Sequence, residues 1–170
     1  MKNSGLLLLL FVLFSACENK EEAIEIKKTN FENKYVSDLD VSKLEEGATY
    51  LPVYSHVYQM HGNNNLYLTI TTSLRNTSPS ESIYILNADY YDTSGKKIRR
   101  YIKKPIEIKP LETVEIIIEQ IDKEGGSGAN FIFDWAVKDT KNLPLFEAVM
   151  ISTYGQQGVS FTTKGVQIFK

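Results

Sequence analysis

Leu66-Tyr67-Leu68-Thr69-Ile70-Thr71-Thr72-Ser73-Leu74-Arg75 is the stretch on which the fold turns. Leu66, Leu68, Ile70, Thr72 and Leu74 alternate with Tyr67, Thr69, Thr71, Ser73 and Arg75. Successive side chains of an extended backbone point to opposite faces, so a period of two predicts a strand with one face buried. Upstream, Tyr50 to Gln59 is a second β-rich run, and His61 to Asn65, with Gly62 and three asparagines, reads as the turn between the two. Downstream, Ile83 to Tyr91 and Lys97 to Ile102 flank Asp92-Thr93-Ser94-Gly95 and form a hairpin.

The pattern continues to the C-terminus. Pro105 and Pro110 bracket a short extended piece, Ile106 to Ile108. Thr113 to Gln120 is rich in β-branched residues, and Asp122 to Gly128 is a loop. Asn130 to Lys138 places Phe131, Phe133 and Trp135 on one side, which makes Trp135 a core residue rather than a ligand platform. Pro144 to Ser152 and Val166 to Phe169 are the last strands. Seven to nine short strands with turn signals between them predict an all-β domain, an antiparallel β-sandwich of immunoglobulin-like layout. The expected domain runs from 48 to 170, is a single unit and is monomeric.

The N-terminus carries a different signal. Lys2 precedes an apolar run, Leu6 to Phe14, of the length of a signal-peptide core and too short to span a bilayer. Ser15 and Ala16 follow, then Cys17, the only cysteine. Phe14-Ser15-Ala16-Cys17 resembles a lipobox, the processing site of bacterial lipoproteins, with Phe14 in place of the preferred leucine. The resemblance implies that residues 1–16 are removed and that the Cys17 thiol takes a diacylglyceryl group, anchoring the chain to a membrane through lipid. Stable anchoring needs at least two acyl chains. With Cys17 consumed, no thiol remains for a disulfide, and the domain must stand on its hydrophobic core.

Residues 17–47 read as a charged, flexible tether. Between 18 and 46 lie nine acidic and five basic residues, with few apolar ones to offset ordering entropy. A short amphipathic helix around Phe31 to Leu44 is compatible with the pattern but not required by it. Glu18-Asn19-Lys20-Glu21-Glu22 resembles the acidic surface-export signal of Bacteroidota lipoproteins, and equally suits a solvated linker. The residue after Cys17 is not Asp, so the outer membrane is expected, facing the periplasm or the cell surface. From 47 onward thirteen basic residues face twelve acidic ones, which gives no long-range pull toward nucleic acid.

A family resemblance rests on five motifs: Tyr50-Leu51-Pro52-Val53-Tyr54-Ser55-His56, Leu74-Arg75-Asn76-Thr77, Tyr90-Tyr91-Asp92-Thr93-Ser94-Gly95, Gly125-Gly126-Ser127-Gly128-Ala129-Asn130-Phe131, and Glu147-Ala148-Val149-Met150. Their order resembles the uncharacterised family called domain of unknown function 3124, over about residues 48 to 168. The resemblance implies a small exported bacterial domain and brings no known activity or catalytic residues.

Little chemistry is written into the domain. Gly125, Gly126, Ser127 and Gly128 can form an anion-holding nest, or a sharp turn needing positive φ. No Lys-Ser or Lys-Thr follows, so it is no P-loop. Asp122 and Asn130 bracket this candidate ligand or partner loop, where Asn130 makes the directional contact or else ties the loop to its own strand. Tyr54 and His56 form a candidate pocket. His56 and His61 are the only histidines, and their odd spacing puts them on opposite faces of a strand, so no metal is expected. No Gly-x-Ser-x-Gly elbow occurs, and no catalytic residue or cofactor is assigned. Lys96, Lys97, Arg99, Arg100, Lys103 and Lys104 cluster on one strand, where charge protects a sheet edge or meets anionic head groups or polysaccharide. Many tyrosines, among them Tyr58, Tyr67 and Tyr154, suit either a binding face or half-buried strands. The expectation is a non-enzymatic envelope module that binds or supports a protein or polysaccharide. A small-ligand site at the Gly125–Asn130 loop is the alternative, and a hydrolase or metal-binding protein comes after it.

Overall fold

In the computed structural model, residues 30–153 and 158–169 are described. The expected signal peptide, Cys17 and the first part of the expected tether lie outside the described residues, as does Tyr154. The domain is an all-β antiparallel sandwich. Its strands are β1 (Glu45–Pro52), β2 (His56–Gln59), β3 (His61–Tyr67), β4 (Thr69–Arg75), β5 (Ile83–Tyr91) and β6 (Lys97–Ile102), followed by β7 (Ile106–Ile108), β8 (Thr113–Ile118), β9 (Asn130–Val137), β10 (Leu145–Ser152), β11 (Val159–Lys164) and β12 (Val166–Ile168). One sheet has the order β12-β1-β9-β5-β6, with β7 also pairing β5. The facing sheet is β11-β10-β4-β8, and β2-β3 is a separate ribbon.

The alternation in the sequence is what builds the core. Phe131, Phe133, Trp135 and Val137 of β9 are buried, and face Ile70 and Leu74 of β4, Ile116 and Ile118 of β8, and Phe146 and Met150 of β10. On β5 the buried set changes parity, from Ile83 and Ile85 to Ala88 and Tyr90. A bulge between Ile85 and Asn87 inserts the extra residue that makes this change. A run of aromatic rings crosses the interior: Tyr90 on Phe131 at 4.9 Å, Phe131 on Phe133 at 5.3 Å, and Phe133 on Phe146 of the other sheet at 4.5 Å. Trp135 is 2% exposed and its indole N–H donates to Thr49 Oγ1 at 2.9 Å, so it is core with its one polar atom satisfied.

Three expectations change. The run Leu66 to Arg75 is not one strand. It is cut at Leu68, whose N–H donates to the Ser55 carbonyl at 2.9 Å, and the chain passes there from the β2-β3 ribbon into the second sheet. Leu68, Ile70, Thr72 and Leu74 are nevertheless all buried, because the one-sided exposure that produced the pattern survives the change of partner. The expected turn at His61 to Asn65 is strand β3, and the chain reverses instead at Met60, with φ 63°. The twelve strands among the described residues exceed seven to nine, because runs read as continuous are divided at residues 53–55 and at Leu68, and because β11 was not anticipated.

The tether boundary also moves. Residues 30–47 are part of the domain: Phe31 is 3% exposed, the Val36 N–H donates to the Pro105 carbonyl at 2.9 Å, Tyr35 bridges Ile106, and Lys34 pairs with Glu112. One phenylalanine driven into the core and one backbone bridge to the β7 edge outweigh the polar composition of the stretch. In place of an amphipathic helix there are two 3₁₀ turns, Glu32–Lys34 and Val41–Lys43.

Trp135→Ala is expected to cost about 3–5 kcal/mol by denaturant unfolding. Trp135 is the only tryptophan, so the native protein should show blue-shifted emission that moves red on unfolding. A loss of a few tenths of a kcal/mol would place the indole outside the core.

Candidate functional site

The glycine loop lies at the end of the sandwich where β5, β1 and β9 meet it, with Asn130 opposite Pro52 and Tyr91. Its glycines are each held by a contact inside the domain. A Cβ on Gly125 would stand 1.9 Å from Tyr90 Oη and 2.6 Å from Ser55 Oγ. Gly126 has φ +78°, and a Cβ there would stand 2.5 Å from Thr93 Oγ1. The loop is fastened from both sides: Thr93 N–H donates to the Gly125 carbonyl at 3.0 Å, Ser55 N–H to the Gly126 carbonyl at 2.9 Å, Val53 N–H to the Ala129 carbonyl at 2.9 Å, and Gly128 N–H to Thr93 Oγ1 at 2.9 Å. Of the loop's own amides, that of Gly128 is engaged internally rather than aimed at an anion.

Beneath the loop, the Tyr90 and Ser55 hydroxyls share a hydrogen bond of 3.0 Å. Burial pushes the Tyr90 phenol above its ordinary range, so it stays protonated and able to donate. Asp122 is 6% exposed and accepts from Arg99 Nη1 at 2.8 Å. The same guanidinium donates to Tyr101 Oη at 2.8 Å and Glu124 at 2.9 Å. Burial works against the Arg99 charge, yet Asp122 and Tyr101 outweigh it and raise its pKa. Asp122 therefore fastens the loop to β6. The Asn130 side chain makes no hydrogen bond among the described residues, and only its backbone holds it to the strand.

Tyr54 and His56 go to different neighbours. Tyr54 packs edge-on against Phe161 at 5.6 Å. His56 stands between Tyr58 and Tyr67, edge-on to each at 5.6 and 5.7 Å. His61 pairs with Gln59 at the ribbon tip. Among the described residues no three His, Cys, Asp or Glu side chains gather where a metal ion could be held. A shallow cleft of about 160 Å³ opens instead on the flank of the sandwich, lined by Thr49, Trp135, Pro144, Phe146, Lys164 and Gln167.

Lys97, Arg99 and Arg100 of the basic cluster are on β6, the last strand of its sheet, where edge protection is the expectation, while Lys96, Lys103 and Lys104 flank it. The charges on the strand are paired. Arg100 clasps Asp89 through Nε and Nη2 at 2.6 and 2.7 Å, and Lys97 approaches the same carboxylate at 3.4 Å. Asp89 is 5% exposed, and the Arg100 hydrogen bonds hold its carboxyl below the ordinary range against the opposing effect of burial. No sequence spacing singles out Thr93, which reaches the loop from the β5–β6 turn across 32 positions. Within the loop itself, Lys123 Nζ lies 4.4 Å from the centre of the Tyr67 ring.

A family model described as protein of unknown function (DUF3124) matches residues 46–168. No curated protein and no solved structure matches the chain.

Gly125→Ala should destabilise the domain by about 3 kcal/mol, since the added methyl displaces Tyr90 from Ser55. Asn130→Ala should stay within about 0.5 kcal/mol of wild type. Thermal melts of the two variants check this, and the reverse order would make Asn130 the structural residue. The depressed Asp89 pKa gives stability that is present above the usual carboxylate pKa and is lost as pH falls through the lower folded value. Asp89→Asn should cost about 2 kcal/mol at neutral pH and flatten the acid limb of the stability profile. An unchanged acid limb would mean the pair carries no linkage.

Proposed function

The chain belongs to the DUF3124 family of proteins of unknown function, and from that premise we propose that it is a lipid-anchored protein of the bacterial envelope whose β-sandwich is a non-catalytic binding or accessory module. The observation that carries the anchoring is the apolar run Leu6 to Phe14 followed by Ser15, Ala16 and the single Cys17. The thiol takes the lipid, the bond before it is cut, and the mature chain is held at the outer membrane by its acyl chains.

The module reading is supported by how the perturbed ionisable groups are used. Enzyme sites gather such groups in a cleft, where the shift serves the reaction. Here Tyr90 is matched to Ser55, Arg99 to Asp122, and Asp89 to Arg100, and each pair joins one structural element to another. The flank cleft is lined by none of them. The alternative small-ligand site at the glycine loop has one observation in its favour, the side chain of Asn130, which makes no hydrogen bond among the described residues.

Cys17→Ala should abolish lipid attachment and release the domain from the detergent phase when membranes are partitioned. Metabolic labelling with a palmitate analogue should mark wild type and not the variant. Equal retention of both proteins in the detergent phase would end the lipoprotein reading.

A further inference from the structure

The β2-β3 ribbon is where local sequence and structure disagree most. His61-Gly62-Asn63-Asn64-Asn65 has the composition of a turn, since Gly and Asn are depleted in strands, yet it forms the exposed half of a β-ribbon. It does so around a non-glycine residue at positive φ, Met60. Conflicts of this kind between local preference and fold concentrate at functional sites.

The two faces of the ribbon differ. Val57 packs against the core. On the other face stand His56 and Tyr58, and opposite them Tyr67 and Asn65, by the pairing His56↔Tyr67 and Tyr58↔Asn65. Tyr58 is 59% exposed. The glycine loop forms a wall to this face, with Ser127 Oγ 3.3 Å from Tyr58 Oη and Lys123 over Tyr67. His56 Nδ1 is buried, with no hydrogen-bond partner among the described residues.

We propose that this face is a saccharide-binding site, which takes a pyranose ring against Tyr58 and reads its hydroxyls with Asn65, Ser127 and Lys123. A pyranose has a C–H-rich face and a hydroxyl-bearing rim. Aromatic rings suit the first, and planar amides that donate and accept at once suit the second. A protein partner would instead call for a contiguous apolar centre, and no aliphatic side chain interrupts the rings and amides on this face.

The position agrees. Asn30 to Tyr35 enter the fold beside Ile106 and Glu112, at the Ile83 end of β5. The ribbon and the glycine loop are at the Tyr91 end, about 27 Å away along nine residues of strand. Resting on the anchoring reading above, this places the saccharide face away from the membrane, toward envelope glycan.

The test is titration calorimetry of the full chain in detergent micelles, a format that does not depend on anchoring. One arm uses soluble glycan strands released from peptidoglycan, the other lipid-free surface polysaccharide. Saturable binding in either arm, weakened about tenfold by Tyr58→Ala with little change in melting temperature, supports the site, and the arm that binds identifies the source. Leu111→Ser, at the opposite pole and equally exposed to solvent, should leave binding unchanged. No binding in either arm, or binding that Tyr58→Ala leaves at the wild-type level, overturns the proposal, whatever the outcome for Cys17.

Discussion

The hydroxyl of Tyr90 is the constraint on which one whole end of this molecule depends. Its ring lies at the end of the aromatic run that crosses the sandwich, so β5 places it in the core without choice. A phenol in that setting must find a partner, and Ser55 provides it from the connection between β1 and β2. The chain passing over this pair has room for no side chain, which fixes glycine at 125. Thr93 and Ser55 then fasten that glycine stretch through backbone bonds, and Asp122 fastens it again through Arg99. The loop is thus the lid of a buried polar pair before it is anything else. A rigid lid is also a good wall for a neighbouring surface, because its position is set by the core and not by its own short polar residues.

How much of this the sequence discloses depends on the range of the interaction. Strands β5, β6 and β7 are legible to the residue, since each is bounded by a local turn signal such as Asp92 to Gly95 or Pro105. The one-sided burial of Leu68 to Leu74 is legible too, because period-two patterning records exposure and not partnership. For the same reason the break at Leu68 is invisible: the alternation runs on unbroken while the strand changes sheets. β3 is hidden by the opposite effect, a turn-like composition overridden by pairing with β2. Phe31 shows the limit of composition arguments, since one large apolar residue in a polar stretch suffices to dock it.

The candidate site divides along the same line. The glycines, Asp122 and Ser127 stand out in sequence because their types are unusual in a row. Their reason does not, because Tyr90 and Ser55 lie 35 positions apart and Thr93 reaches Gly125 across 32. Asp122 holds the loop through a guanidinium on β6 and through the Glu124 backbone N–H, and the first of these partners comes from 23 positions away. Tyr54 and His56 were joined by proximity in sequence, and the chain's bend at residues 53–55 sends their rings to different neighbours.

One consequence links the stability of the domain to its surface. The basic residues of β6 could have been read as free charge for a polyanion, but Arg99 and Arg100 spend theirs on Asp122 and Asp89. Such pairs contribute specificity of strand register more than net energy, since desolvation offsets much of the attraction. They blunt that edge against pairing with another chain. Lys96, Lys103 and Lys104 flank β6 outside these pairs, so the edge keeps a positive balance. Under the saccharide-binding proposal, recognition rests instead on contacts at van der Waals distance, and the ribbon presents the Tyr58 ring beside the Asn65 amide.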